Sequence, residues 1–143
     1  MKIAQLIANR AGTEVFACEA QASVAEAIAL LADKRIGALP VLEGGRVAGI
    51  FSERDVVYRM AQEGAACLDR RVGEVMTAPA ITVAPDMQVL EALALMTRRR
   101  IRHLPVVECD AMCGFISIGD LVKSRIDEIA QEAEAMRSYI MTA

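Results

Sequence analysis

The sequence predicts an α/β fold, an α+β sandwich of two tandem β-α-β-β-α units packed with pseudo-twofold symmetry. Three observations predict it. Displaced by 65 positions, the chain aligns with itself without a gap from about residue 15 to 60, pairing Val24, Glu26, Ala27, Ala29 and Leu30 with Val89, Glu91, Ala92, Ala94 and Leu95. The match continues through Arg35, Ile36, Leu39, Pro40, Val41 and Glu43 against Arg100, Ile101, Leu104, Pro105, Val106 and Glu108, then Gly49, Ser52, Asp55 and Val57 against Gly114, Ser117, Asp120 and Val122; chance would supply roughly three such identities. Within each copy the apolar pattern switches from strand to helix and back. Finally, 143 residues at 55% hydrophobic suffice for one core, or for two small halves that share one.

Taken in order, Ile3, Leu6 and Ile7 echo Val72, Val75 and Met76, so a short helical turn precedes each copy, the first ended by Gly12. Short strands are expected around Val15–Ala17 and Ala80–Thr82. The helices that follow place Val24, Ala27, Ile28 and Leu31, or Val89, Ala92, Leu93 and Met96, on one face. Lys34-Arg35 and Arg98-Arg99-Arg100 end these helices, where cations complement the dipole. Hairpins follow, Ala38–Leu42 with Arg46–Phe51 and His103–Val107 with Met112–Ser117. Gly44-Gly45 suits the first turn, while the second, Glu108–Ala111, has no glycine. Helices near 53–62 and 118–140 complete the units. The division in chain order is 1–63, a polar linker at 64–71, and 72–143. The last helix carries a heptad seam, Val122, Ile126, Ile129, Ala133, Met136 and Ile140, that either packs on its own domain or meets a second copy.

Composition excludes several classes. A net charge of -3 and 3% aromatic residues do not suit nucleic-acid binding. No apolar run approaches the roughly 20 residues of a membrane span, and Asn9 and Arg10 interrupt the N-terminus too early for a signal peptide, which points to the cytoplasm. Cys18, Cys67, Cys109 and Cys113 read as reduced thiols; Cys109, Cys113 and His103 lack the spacing and the fourth ligand of a structural zinc site, so no metal is expected. One histidine, with no P-loop, Gly-x-Gly-x-x-Gly or Ser-His-Asp arrangement, gives no sign of an enzyme.

Ser52-Glu53-Arg54-Asp55 and Ser117-Ile118-Gly119-Asp120 each read Ser-x-x-Asp before a helix. The spacing is that of a capping box. It also sits where an apolar strand ends, a usual place for α/β ligands. A carboxylate accepts from a ribose diol, and cationic or imidazole donors suit a phosphate. Asp120 and Ser117 with Arg102 and His103 therefore describe a ribonucleotide site. The first copy has Gly37-Ala38 in place of Arg102-His103, so its turn, with either Arg54 or the arginines of the other half left to compensate, is expected to be the weaker site.

With these residues in hand, the chain resembles a pair of cystathionine-β-synthase (CBS) domains, a Bateman module, of the short stand-alone bacterial type. The resemblance rests on IGALPV with GIFSERD and on RIRHLPVV with GFISIGDLVKSRI, and covers almost the whole chain. It implies a non-catalytic regulatory sensor that binds AMP, ADP, ATP, NAD(H) or S-adenosylmethionine between the two domains and needs no cofactor. It implies a nucleotide site of Ser117, Asp120, Arg102, His103 and Phe115, with adenine near Phe16, Ile36 and Gly37. The weaker site would use Ser52, Asp55, Arg54, Ile81 and Ile101. A disc-like homodimer and a regulated partner protein are further implications; a ligand-independent dimerisation scaffold is the alternative. Related modules occur inside IMP dehydrogenase, but 143 residues hold no catalytic barrel.

Overall fold

The structure is a computed structural model that describes residues 1–10 and 15–142. Its elements run α1 (Ile3–Asn9), β1 (Cys18–Glu19), α2 (Val24–Lys34), β2 (Ala38–Glu43), β3 (Arg46–Ser52), α3 (Glu53–Glu63), α4 (Val72–Val75), α5 (Val89–Arg99), β4 (His103–Glu108), β5 (Ala111–Ser117) and α6 (Ile118–Thr142). A 3-10 turn, Gly64–Asp69, joins α3 to α4. Among the described residues no helix is long and apolar enough to cross a membrane.

The two-copy architecture is present, with one hydrophobic cluster per half. Val24, Ala27, Leu31, Leu39, Val41 and Phe51 form the first, and Val89, Ala92, Met96, Leu104, Val106 and Ile116 the second. The apolar stripes of α2 and α5 face these clusters because residues three and four apart share a helix face. Ile28 and Leu93 are only partly buried at the margins. Ser23 caps α2, its Oγ accepting from the Glu26 N–H at 3.1 Å.

Both hairpins are antiparallel and identically registered, Ala38 opposite Ser52 and His103 opposite Ser117, each with a bulge. In the first, Gly44 and Gly45 take φ of 58° and 80°; in the second, Cys109 and Asp110 adopt the same left-handed turn at 52° and 62°. The first strands lie further along than expected. Val15–Ala17 is not a strand; β1 begins at Cys18 and runs parallel to β2, with Cys18 opposite Val41. Ala80–Thr82 is not a strand either, and Val83 makes a single parallel bridge to Val106. The reason for the difference between copies is a proline. In the first half the Ala20 N–H donates to the Leu42 carbonyl at 2.9 Å. Pro85 stands at the matching position, has no N–H to give, and stops the ladder.

The two short helices exchange places. The N–H groups of Ile3 and Ala4 donate to the carbonyls of Met87 and Pro85, at 2.9 and 2.8 Å, and Ile3 and Leu6 are buried in the second cluster. In the same way the N–H groups of Val72 and Gly73 donate to the carbonyls of Ala22 and Ala20, and Val72 and Val75 are buried in the first cluster. In chain order α1 falls within residues 1–63, but its packing belongs to the second half. The Gly12 stop lies outside the described residues; α1 ends at Asn9. The segment expected as a polar linker is packed as well, with Cys67 fully buried and Leu68 against the first cluster.

The start of α6 is anchored by Leu121, but its heptad seam is not covered by its own domain: Ile126 is 61% and Ile140 65% exposed. Packing of that seam within the chain, one of the two sequence readings, does not occur.

Candidate functional site: two Ser-x-x-Asp turns

Each hairpin delivers its second strand into a Ser-x-x-Asp turn that starts a long helix. The join is fixed by backbone: the Glu53 N–H donates to the Gly37 carbonyl at 3.1 Å, and the Ile118 N–H to the Arg102 carbonyl at 2.8 Å. Thus the residues just before β2 and β4 sit beside the first turns of α3 and α6.

In the second half the Ser117 N–H donates to Asp120 Oδ2 at 2.8 Å, and the Asp120 N–H to Ser117 Oγ at 3.2 Å. Asp120 Oδ2 also accepts from Arg10 Nη1 at 2.9 Å. Asp120 therefore caps its own helix and pairs with a cation from α1. Asp120 and Arg10 line a cavity of about 330 Å³ between α1 and α6, shared with Asn9, Lys123, Ser124 and Asp127. Arg102 and His103 do not line it. They approach at the start of β4, where Arg102 is exposed and His103 half-buried.

His103 stacks on Phe115 with ring centroids 5.4 Å apart and 11° between planes. Burial pushes its pKa below the ordinary value; Asp120 opposes this, Arg102 adds to it, and Glu53 opposes it. The carboxylate from the start of α3 thus lies within electrostatic reach of an imidazole in the other half. Glu53 is also the nearest group to Gly37, whose Cβ would come 3.8 Å from the Glu53 carboxyl carbon. Ser117, Asp120, Arg102, His103 and Phe115 consequently gather at one end of the β4–β5 hairpin, with Glu53 of the other half within electrostatic reach of His103. Phe16 and Ile36 pack against the first cluster, and Lys34 Nζ lies 4.8 Å over the Phe16 ring.

In the first half the Ser52 N–H and Oγ–H both donate to Asp55 Oδ2, at 2.9 and 3.2 Å, and Thr77 Oγ1 donates to Asp55 Oδ1 at 2.9 Å. Arg54 is exposed, while Ile81 and Ile101 pack against the second cluster. Thr77 pairs with Ile50 on β3 through two backbone hydrogen bonds. Sequence reasoning missed Arg10 and Thr77. Each follows a member of the short-helix repeat, and the swap of those helices is what carries each to an aspartate in the other half.

Among the described residues no three histidine, cysteine or acidic side chains are placed to bind a metal. The Cys18 thiol is pushed up to about 11 by burial and by Glu19, so it is protonated and unreactive at neutral pH.

A tandem α/β repeat with swapped short helices and paired Ser-x-x-Asp turns is the architecture of a tandem domain pair. The chain belongs to the CBS-domain family: the family's profile matches residues 8–62 and 72–127. It is 36% identical over 128 residues to the mitochondrial CBS domain-containing protein CBSX3 of Arabidopsis thaliana, covering 86% of this chain and 62% of that one, so it spans less than two thirds of that relative. The structure of a signal-transduction protein with CBS domains from Burkholderia ambifaria superposes with a TM-score of 0.80 at 40% identity, over 89% of this chain and 95% of that one. The fold is also that of CBSX2 crystallised in complex with AMP, at TM-score 0.70 and 22% identity, over 80% of this chain and 89% of that one.

Proposed function

We propose that the protein is a non-catalytic regulatory module that binds an adenine nucleotide (AMP, ADP, ATP or NAD(H)) at the Ser117/Asp120 turn, in the cleft between its two domains. The observation that carries the reading is the gathering of Asp120, Ser117, Arg102, His103 and Phe115 at the start of α6, with Glu53 of the other half within electrostatic reach of His103. A carboxylate takes a ribose diol, a guanidinium and an imidazole take phosphate, and a ligand touching both halves shifts their relative populations. Membership of a family of domain pairs, and the AMP complex of CBSX2, support the ligand class. In this reading residues 1–63 and 72–143 are the two domains, the protein acts in the cytoplasm as a homodimer, and an unidentified partner responds to the ligand-shifted state.

Calorimetry with AMP, ATP and NADH tests it. Binding heat with at least one ligand is expected. The Asp120→Ala variant should bind about 30-fold more weakly, the equivalent of roughly 2 kcal/mol for a lost charge-assisted contact. Neither heat nor thermal stabilisation from any of the three at millimolar concentration would end the proposal.

The exposed seam of α6 favours a second reading, a dimerisation scaffold indifferent to nucleotides. Ile126, Ile129, Met136 and Ile140 are all at least 49% exposed, an unusual run of apolar side chains for a free helix face. Under that reading, ending the chain at residue 128 converts a dimer to monomers in sedimentation, and added nucleotide changes nothing.

A further inference from the structure

We infer that Arg10 is a ligand-contact and specificity residue of the Ser117/Asp120 site, selecting phosphorylated adenosyl ligands over uncharged ones; the inference rests on the nucleotide-binding reading above. Helix α1 is locked in place two turns before this residue. Ile3 is fully buried, the N–H groups of Ile3 and Ala4 are bonded to the loop before α5, and the Ile7 side chain covers Gly114 on β5. Arg10 is therefore delivered to the start of α6 by a fixed support, although it comes from the far end of the chain.

Its position is electrostatically specific. Arg10 Nη1 lies 2.9 Å from Asp120 Oδ2, which also takes the Ser117 N–H. Those two donors occupy Oδ2, and among the described residues Oδ1 takes no hydrogen bond. A guanidinium has five N–H donors in a planar fork, and this contact engages one of them. With side chains 38% and 30% exposed, the ion pair is wet, weak and readily exchanged for a better anion. A phosphate on the ribose held by Asp120 is such an anion, because it accepts two parallel bonds from arginine. Lys123 lines the same cavity as a second cation, alongside the carboxylates of Asp127 and Glu128.

The first half supplies the contrast. There the equivalent swapped segment brings a hydroxyl, Thr77 Oγ1, to Asp55 at the same 2.9 Å. One aspartate is met by a charge and the other by a neutral group, so charge discrimination belongs to the second site.

Titration calorimetry of the full chain with AMP and with adenosine separates the possibilities, using Arg10→Gln, Arg10→Lys and Asp120→Asn. Arg10→Met, which keeps the aliphatic stem, replaces Arg10→Gln if the latter does not fold. Arg10→Gln should weaken AMP about tenfold and leave adenosine within about twofold, while Arg10→Lys keeps AMP within about threefold. Asp120→Asn should weaken both ligands. An equal loss for AMP and adenosine, no loss for AMP, or a gain for both overturns the role of Arg10; a gain would mean that it only occupies the carboxylate. If Asp120→Asn still lowers both affinities in that case, the nucleotide reading survives. If wild type binds neither AMP nor adenosine, the inference falls; if ATP and NADH also fail to bind, or Asp120→Asn leaves the affinity of the ligand that does bind unchanged, the nucleotide reading falls as well.

Discussion

The two Ser-x-x-Asp turns share a backbone and differ in almost everything around it. In both, the serine N–H bonds the aspartate three residues on, at 2.9 and 2.8 Å. Asp120 is met at Oδ2 by Arg10, with Arg102 and His103 at the start of β4; Asp55 is met at Oδ1 by Thr77, and Gly37 and Ala38 hold the places of Arg102 and His103. The comparison teaches that the motif supplies helix capping, needed by any helix start, and that ligand chemistry comes from the residues other elements bring to it. Capping alone accounts for the aspartates, and only their neighbours argue for a ligand.

The short helices cover the two second strands differently, and this gives the largest expected effect. A Cβ on Gly49 would lie 2.7 Å from both Met76 Sδ and the Thr77 carbonyl oxygen, whereas one on Gly114 would meet only the tip of Ile7, at 2.8 Å from Cδ1. A backbone carbonyl cannot retreat, but an isoleucine tip can turn. Gly49→Ala should cost about 3 kcal/mol in urea denaturation and Gly114→Ala about 1 kcal/mol. Equal costs would mean that the Ile7 side chain is held as rigidly as the Thr77 carbonyl.

The next test converts the second half toward the first. Arg102→Gly removes the guanidinium and installs the residue found at Gly37. AMP affinity should fall about tenfold, or about 1.4 kcal/mol, with little change in thermal midpoint because Arg102 is exposed. A variant that binds AMP unchanged would move the phosphate from Arg102 toward the Arg10 side of Asp120.

Much of the fold was legible because the repeat is. Val24 to Val57 against Val89 to Val122 predicts helix, hairpin and helix twice, and the observed registers of the two hairpins coincide. Which core the short helices join was not legible. Ile3 and Val72 look alike whether each packs on its own half or on the other, since apolar spacing gives a face and not a partner. The missed partners of Asp55 and Asp120 follow from that ambiguity. The first strands were placed three residues early because Val15, Phe16, Ile81 and Val83 are all apolar. Pairing with β2 and β4, and the proline at position 85, decides where the ladder forms. The buried Cys67 could have been anticipated from Ala65-Ala66-Cys67-Leu68, an apolar run inside a segment read as linker.

The hairpin turns carry a smaller prediction. Gly44-Gly45 reaches positive φ without steric cost, but Cys109 and Asp110 reach it with a Cβ. Aspartate tolerates this region and cysteine less so. Cys109→Gly should therefore stabilise the chain by up to about 1 kcal/mol, and Gly45→Ala should destabilise it by a similar amount. Thermal denaturation in reducing buffer measures both. A destabilising Cys109→Gly would show that the exposed thiol makes a contact worth more than the turn.

The smallest effect concerns pH, and it falls in the second half only, where the single histidine lies. Burial holds the His103 pKa below its usual value of 6.5, with Asp120 and Glu53 opposing and Arg102 assisting. The unfolded chain then binds the proton more readily than the folded one. Stability is fully present above about pH 6.5, declines as pH falls through that value, and levels off below the depressed folded pKa. This window is separate from that of Glu63, whose carboxyl is held below 4.5 by its hydrogen bond from Arg70. His103→Gln should flatten the urea midpoint between pH 7.5 and 5.5 relative to wild type. Saturating AMP should act in the opposite direction, because a phosphate beside the imidazole favours its charged form. If the wild-type slope is unchanged by AMP, His103 is a packing partner of Phe115 and not part of the phosphate site.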